Sequence, residues 1–318
     1  MRLFVTGGAG FIGSNYVHHV LATSDDEVMV YDALTYAGNL DNLRDVEDDR
    51  RYRFVKGDIT DRAAVEEAMA GHDAVVHFAA ESHVDRSIVS PDEFVHTNCD
   101  GTNVIMDVAR RLEVARVLHI STDEVYGSIE KGTFSETDPL TPRSPYSASK
   151  AGSDLIALSY FTTYGLPVLI SRSSNNFGPY QYPEKVIPLF VTNLLDGEKV
   201  PLYGDGMNVR DWCYVEDNCA GVDLVLRRGE IGEIYNIGAG NEIPNRVLTE
   251  KILALLGADE SMINYVEDRL GHDRRYSIDT AKVEALGWRP QRDLDEALAA
   301  TVEWYREHRS WWEPLKAA

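Results

Sequence analysis

Four glycines fall within seven residues near the start of the chain, in Gly7-Gly8-Ala9-Gly10-Phe11-Ile12-Gly13. They lie between a β-run at residues 3–5 and a helical stretch at 11–21. Read from Gly8 the turn satisfies G-x-G-x-x-G, and read from Gly7 it satisfies G-x-x-G-x-x-G. Glycine lets such a turn form, lets backbone approach a pyrophosphate, and lets the helix pack close to a sheet. The helix N-terminus then offers free N–H groups and the positive end of its dipole to phosphate. A second apolar strand, residues 28–31, leads into Asp32. That is about 20 residues past the glycines, where a carboxylate hydrogen-bonds an adenosine ribose. A carboxylate there repels a 2′-phosphate, so NAD is expected rather than NADP. Asp58, after a strand at 53–57, is a candidate for the adenine amine or a helix cap.

Nearly continuous apolar runs recur at 52–55, 74–78 and 117–120, with helical stretches between them. That alternation predicts a parallel sheet covered on both faces. The expected fold is α/β, a Rossmann-type doubly wound sheet. Ser90-Pro91-Asp92-Glu93 reads as a helix start, with Ser90 and Glu93 forming a capping box, and the helix should run to about Arg111. A second long helix is expected at 146–164, ending near Gly165, and a strand at 167–171. After about Asn175 the alternation loosens, and Pro179, Pro183, Pro188 and Pro201 punctuate loops. The expected division is 1–175 for the dinucleotide and 176–318 for a smaller C-terminal α/β substrate-binding lobe, some of whose strands return to the first sheet.

The formal net charge of −21 argues against a nucleic-acid or anionic-membrane partner, which needs a basic face. A phosphorylated ligand must therefore find a local basic pocket. Cys99, Cys213 and Cys219 show no CxxC spacing and read as reduced packing residues, with no metal site expected. No signal peptide is visible before the first strand, and no apolar run approaches the roughly 20 residues of a membrane span. A cytoplasmic protein is the expectation.

Tyr146 and Lys150 lie one helical turn apart and share a face. A nearby ammonium favours a phenolate, so Lys150 is expected to lower the Tyr146 pKa. Tyr146 can then take a proton from a hydroxyl as hydride leaves the same carbon, while Lys150 holds the nicotinamide ribose. Thr122 follows the strand ending at Ile120, on the side where parallel sheets present ligands. Asp123 and Glu124 come next, an acid and a base of the kind that elimination of water requires.

With these motifs assembled, the chain resembles the extended short-chain dehydrogenase/reductase superfamily, and within it the nucleotide-sugar 4,6-dehydratases. The superfamily likeness rests on Gly7 to Gly13, Asp32 and the Tyr146/Lys150 pair. The narrower likeness rests on Ala80-Glu81-Ser82-His83-Val84-Asp85-Arg86-Ser87, Ser121-Thr122-Asp123-Glu124-Val125-Tyr126-Gly127, Asn175 to Gln181, Pro183-Glu184-Lys185, and Leu202 to Gly206 leading to Arg210-Asp211-Trp212. Asn218 departs from the histidine common in that group and should not touch the chemistry.

The resemblance implies NAD, held by Gly7, Gly10, Phe11, Ile12, Gly13, Asp32, Asp58, Ile59, Ala79, Ala80, Ser82, Thr97, Tyr146, Lys150 and Asn176. It implies a nucleotide-sugar substrate, dTDP-glucose, met by Ser82, His83, Thr122, Asn175, Lys185, Pro201, Tyr203, Arg210, Asn245, Arg269, His272 and Tyr276. Arg274 or Arg275 are further phosphate candidates, and His83 is equally readable as a core histidine. Tyr146 would deprotonate the 4-hydroxyl, Glu124 would remove the C5 proton, and Asp123 would protonate the departing C6 hydroxyl. Catalysis would thus fall to Thr122, Asp123, Glu124, Tyr146 and Lys150. The two long helices suggest a homodimer through a four-helix bundle. A UDP-hexose 4-epimerase needs no such elimination, a UDP-glucuronate decarboxylase needs a carboxylate site, and a non-catalytic NAD-binding regulator needs none of these groups.

Overall fold

A computed structural model describes residues 1–316. The strands are β1 (Arg2–Thr6), β2 (Glu27–Asp32), β3 (Tyr52–Lys56), β4 (Ala74–His77), β5 (Arg116–Thr122), β6 (Val168–Ser173), β7 (Asn175–Phe177), β8 (Val200–Tyr203), β9 (Val209–Tyr214), β10 (Ile234–Ile237), β11 (Glu242–Pro244) and β12 (Ile263–Val266). Seven form one sheet in the order β10-β6-β5-β4-β1-β2-β3, and every pairing in it is parallel. β4 and β6 are buried along their whole length, as strands covered on both faces must be. The chain runs outward from β1 to β2 and β3, then crosses back to place β4 on the other side of β1. Strand order therefore reverses between β1 and β4, and the crevice at their carboxyl ends is where such sheets bind ligands.

Later segments complete this body. β10 pairs with β6 at the sheet edge, and the helix Val215–Arg228 packs on Phe11–Thr23. A second core gathers Phe177, Phe190, Trp212, Leu248, Leu298 and Trp312 beneath the helices Val186–Leu195, Asn245–Leu255 and Leu294–Glu307. β7, β9 and β11 form a three-stranded sheet there, and β8 pairs with β12.

The second long helix spans Pro145–Tyr164. Ser144 and Ser147 cap its start reciprocally, and Gly165 ends it in the left-handed region at φ 72°. The first long helix differs from expectation. It runs as Pro91–Phe94, a π turn Val95–Gly101, and Thr102–Arg111. The expected capping box is absent, since the Ser90 side chain bonds no helix N–H. A preceding helix, Val84–Val89, uses Ser90 as its own C-cap through a 2.8 Å bond from the Ser90 N–H to the Arg86 carbonyl. Glu93 lies 3.8 Å from the Arg86 guanidinium instead of turning back on the helix. Cys213 and Cys219 are buried, Cys99 is half-buried, and all three are free thiols. Among the described residues, no helix is long and apolar enough to cross a membrane, and no cluster of His, Cys, Asp or Glu could hold a metal ion.

Candidate active site

A cleft of about 490 Å³ opens along the carboxyl ends of the central strands. At one end the glycine turn crosses directly over Ala79, two residues past the end of β4. Gly7 adopts φ 69°, and a Cβ on it would lie 2.5 Å from the Ala79 nitrogen. A Cβ on Gly13 would lie 2.2 Å from the Gly7 carbonyl oxygen. Gly10 differs, because its Cβ would meet only that same oxygen, at 3.3 Å. The face of Gly10 toward the cleft is thus open, a cradle that a side chain would fill. Asp32 accepts from the Ala9 N–H at 3.0 Å through one oxygen and from the Leu34 N–H at 2.8 Å through the other. Each oxygen keeps a lone pair for a further donor. Burial pushes this carboxyl above its ordinary value, and the two backbone bonds oppose the shift. Asp58 accepts from the Thr60 N–H and hydroxyl, both at 2.8 Å, so it holds a turn while lining the cleft. The open cradle, the fixed carboxylate and the free helix N-terminus fit a dinucleotide.

At the centre lies Lys150, buried, its ammonium donating to the Ile120 carbonyl at 2.7 Å. Burial brings that ammonium down to about 8, and the Asp154 carboxylate one turn along the helix opposes the fall. Asp154 is fixed in turn by Arg172 Nε at 2.9 Å. Tyr146 behaves otherwise than the sequence suggests. Burial, followed by the negative charges of Glu124 and Asp123, holds its phenol far above the ordinary value, and only the Thr122 hydroxyl works to lower it.

Asp123 and Glu124 open a one-turn helix, Asp123–Tyr126, at the end of β5, and the Thr122 hydroxyl accepts from the Glu124 N–H at 3.2 Å. That hydroxyl also donates to Asp123 Oδ1 at 3.2 Å. Asp123 is 3% exposed and its other oxygen has no partner. Burial, then Glu124 and Asp211, push its carboxyl far above the usual range. Burial also raises Glu124, but Arg269, Arg210 and Lys185 oppose it. The two carboxyls are therefore unequal. Asp123 is pushed up by two neighbouring carboxylates as well as by burial, whereas the rise at Glu124 is opposed by three cations.

At the far end Arg210 lies over the Tyr276 ring at 4.0 Å and donates to the Asp273 carbonyl at 2.9 Å. Arg269 lies 3.8 Å from Asp85, and its Nε has no partner. Lys185 donates to the Ser82 carbonyl at 2.9 Å, crossing from one half of the chain to the other. His272 sits 2.5 Å from Asp268, and burial brings it down to about 4. His83 meets Glu184 at 3.5 Å and burial likewise brings it to about 4, so it is neutral. Side-chain atoms of Asn175, Asn176, Asn245 and Trp212 also face the cleft without partners. Buried polar groups are normally satisfied, so this concentration marks a polar ligand.

Every residue singled out in the sequence for cofactor, substrate or catalysis lines this one cleft, with three exceptions. Tyr276 is 3% exposed and lies behind Arg210 as its support, bonded to Asp273 at 2.9 Å. Arg274 pairs with Asp205 at 2.9 Å, and Arg275 with Glu242 at 2.8 Å, so neither is free for a phosphate. Sequence reasoning missed Asn98, which the π turn aims at the cleft wall. Asn98 bonds the Glu81 N–H at 2.8 Å, the Glu81 carbonyl at 3.0 Å and Ser149 at 2.8 Å. It also missed the 3.0 Å bond from the Tyr36 hydroxyl to Glu184, a carboxylate that lines the cleft. Neither had a signal, because both depend on partners distant in sequence.

Residues 4–301 match the family model described as GDP-mannose 4,6 dehydratase. The chain belongs to this family. Among its relatives is a dTDP-glucose 4,6-dehydratase of Streptomyces antibioticus, 57% identical, covering 99% of this chain and 96% of that protein. The low-salt glycan biosynthesis protein Agl12 of Haloferax volcanii is 56% identical, covering 96% of this chain and 98% of that protein. The crystal structure of DesIV, a dTDP-glucose 4,6-dehydratase from Streptomyces venezuelae with NAD and dTDP bound, superposes with a TM-score of 0.98. It is 58% identical and covers 99% of this chain and 100% of that one. The family fold is thus the seven-stranded parallel sheet described above, with its cleft at the β1/β4 reversal.

Proposed function

We propose that this protein is a hydro-lyase that converts dTDP-glucose to dTDP-4-keto-6-deoxyglucose and water, with NAD as a bound cofactor. Bound NAD supplies an acceptor for hydride from C4 of the sugar and its return to C6. The observation that carries the reading is the unequal Asp123–Glu124 pair at the end of β5, beside Tyr146. Tyr146, once it has given up the proton that burial and the two carboxylates hold on it, takes the proton of the C4 hydroxyl, with Thr122 hydrogen-bonding the same oxygen and Lys150 placed to hold the nicotinamide ribose. The C4 ketone acidifies the C5 proton. Glu124, its charge steadied by Arg269, Arg210 and Lys185, removes that proton, while Asp123 gives its own to the C6 hydroxyl, which leaves as water. Glu124 then returns its proton to C5. One turnover leaves Tyr146 protonated and Asp123 bare, so one proton must pass from Tyr146 to Asp123 before the next.

The diphosphate is assigned to Arg210 and Arg269, whose forks of donors suit phosphate oxygens. Asn175 and Asn245 stand beside them, and Lys185, Pro201, Tyr203 and His272 border the base. Residues 1–175 with β10 carry the cofactor, and most of 176–318 carries the nucleotide. We further assign a homodimer through the helices of residues 84–111 and Pro145–Tyr164. Val89, Val95, Leu155 and Tyr164 on these helices are exposed apolar side chains, at 83%, 52%, 59% and 59%, of the kind that a second copy would cover. Three reduced cysteines suit the cytoplasm. The test is direct. Incubation with dTDP-glucose should give a product lighter by one water in mass spectrometry. Interconversion with the galactose form and no loss of mass would overturn the assignment.

A further inference from the structure

A set of hydrogen bonds that the chemistry above does not use ties the glycine turn to the far end of the chain. Asn42 lies in the short helical segment Leu40–Val46 and is 1% exposed. Its side-chain N–H donates to the Ala9 carbonyl at 2.9 Å, inside the glycine turn. Its side-chain oxygen accepts from the Trp311 indole N–H at 2.9 Å. Its backbone carbonyl meets His18 Nε2 at 2.8 Å, on the helix that the glycine turn opens. Trp311 belongs to the helix Arg309–Lys316 and packs edge-on against Trp304 at 5.1 Å. The Ala9 carbonyl only accepts and the indole only donates, so a single orientation of the Asn42 amide satisfies both.

Ala9 is held on both sides. Its N–H goes to Asp32 at 3.0 Å, and its carbonyl takes a second bond from the Asn39 N–H at 3.0 Å. The peptide joining Ala9 to Gly10 borders the open face of the cradle. Glycine-flanked peptides turn over easily, having no Cβ to resist. Turned over, this one would aim a carbonyl oxygen at the pyrophosphate in place of the space that accepts it. Asn42 draws that carbonyl to the opposite side.

We propose that Asn42, locked by Trp311 of the C-terminal helix, is a positioning residue for the phosphate-binding turn and slows escape of the dinucleotide. The inference rests on the NAD reading given above. It answers a need of that reaction, in which electrons taken at C4 return to C6 of the same sugar. A cofactor lost between the two transfers would strand a ketone.

The test follows exchange of NAD bound to the purified holoprotein against excess isotope-labelled NAD, in Asn42→Ser, Trp311→Phe and the double variant. One neutral hydrogen bond predicts exchange faster by about 3- to 10-fold in each single variant. The two changes act in series, so the double variant should exchange no faster than Asn42→Ser, and calorimetric affinity for dTDP should hold within about twofold. Unaltered exchange overturns the inference, as do effects that multiply in the double variant or an equal loss of dTDP affinity. If Asn42→Ser does not fold, Trp311→Phe decides alone, since it removes the indole donor and keeps an aromatic ring at that position. A wild-type protein that neither carries NAD nor takes up added NAD overturns the cofactor reading and this inference with it. Retained NAD with unaltered exchange overturns the inference only.

Discussion

Glu124→Gln separates the two carboxyls most sharply. The substitution keeps the shape and removes both the base and its charge. Loss of a general base costs about 10²- to 10⁴-fold, so exchange of the C5 proton with deuterated solvent should fall by that factor. The charge has a second effect, because Glu124 is among the groups that raise Tyr146 and Asp123. A unit charge roughly 5 Å away at an effective dielectric near 20 is worth about 3 kcal/mol, or about two pKa units. With that charge removed, the Tyr146 phenol ionises more readily, and the pH profile for C4 oxidation should move to lower pH by about one to two units. The assay is rapid quenching of holoprotein with dTDP-glucose in deuterated buffer. The 4-keto hexose and the deuterium at C5 are then followed separately by mass spectrometry across pH. The variant should still form 4-keto hexose while incorporating almost no deuterium. Deuterium incorporation within about tenfold of wild type would remove Glu124 from the role of base. A profile displaced to higher pH would refute the electrostatic argument.

Asp123→Asn should leave C5 exchange present and slow water loss, read as the mass of the product in the same samples. Lys150 is brought down to about 8 by burial, so its ammonium is present below that pH, and kcat/KM should fall as pH rises through about 8. Its effect on stability has the opposite sign: between about 8 and 10.5 the unfolded chain binds this proton and the folded chain does not, so this group adds stability as pH rises through that window, measurable by denaturant titration. Gly13→Ala places a Cβ 2.2 Å from the Gly7 carbonyl and should lower stability by about 1–3 kcal/mol, seen as an earlier unfolding midpoint with less bound NAD. Leu155→Glu puts a charge on the proposed helix-pair interface and should convert dimer to monomer by light scattering without changing the far-ultraviolet dichroism.

The parts of this molecule that could be read from sequence depend on spacing along one element. Gly7 to Gly13 and Asp32 are bound to the strand–turn–helix–strand unit that carries them, and Tyr146 and Lys150 to one turn of one helix. What escaped depends on neighbours from elsewhere. Ser90 has the composition of an N-cap, but the helix before it ends on the same residue. Ser144 caps the longer helix with serine at the third position where glutamate or glutamine is the usual signal. Arg274 and Arg275 have the right chemistry for phosphate, yet Asp205 and Glu242 reach them first. Tyr276 belongs to the site at one remove, since its ring supports the guanidinium of Arg210. The lowered tyrosine pKa expected from Lys150 fails for a reason of magnitude: burial and two carboxyls outweigh one ammonium already bonded to Ile120.

The division of labour between Asp123 and Glu124 has the same long-range origin. The two residues are adjacent, share a strand end and are both deprived of water, so local sequence gives them no difference. Their inequality comes from Arg210, Lys185 and Arg269, which oppose the rise at Glu124, whereas Asp123 has Asp211 among the groups raising it and Arg210 alone of those cations lowering it. All of these belong to the second half of the chain. In a protein of net charge −21, Arg210, Lys185 and Arg269 bring cations to the cleft beside Glu124. Two of these cations, Arg210 and Arg269, are the ones to which the proposed function assigns the substrate's diphosphate. Phosphate drawn onto Arg210 and Arg269 weakens their hold on the Glu124 charge, and a carboxylate less stabilised is a stronger base. On the proposed function, binding of the nucleotide and readiness to take the C5 proton would be coupled through shared cations, and a sugar lacking its diphosphate would meet a weaker base as well as a weaker grip.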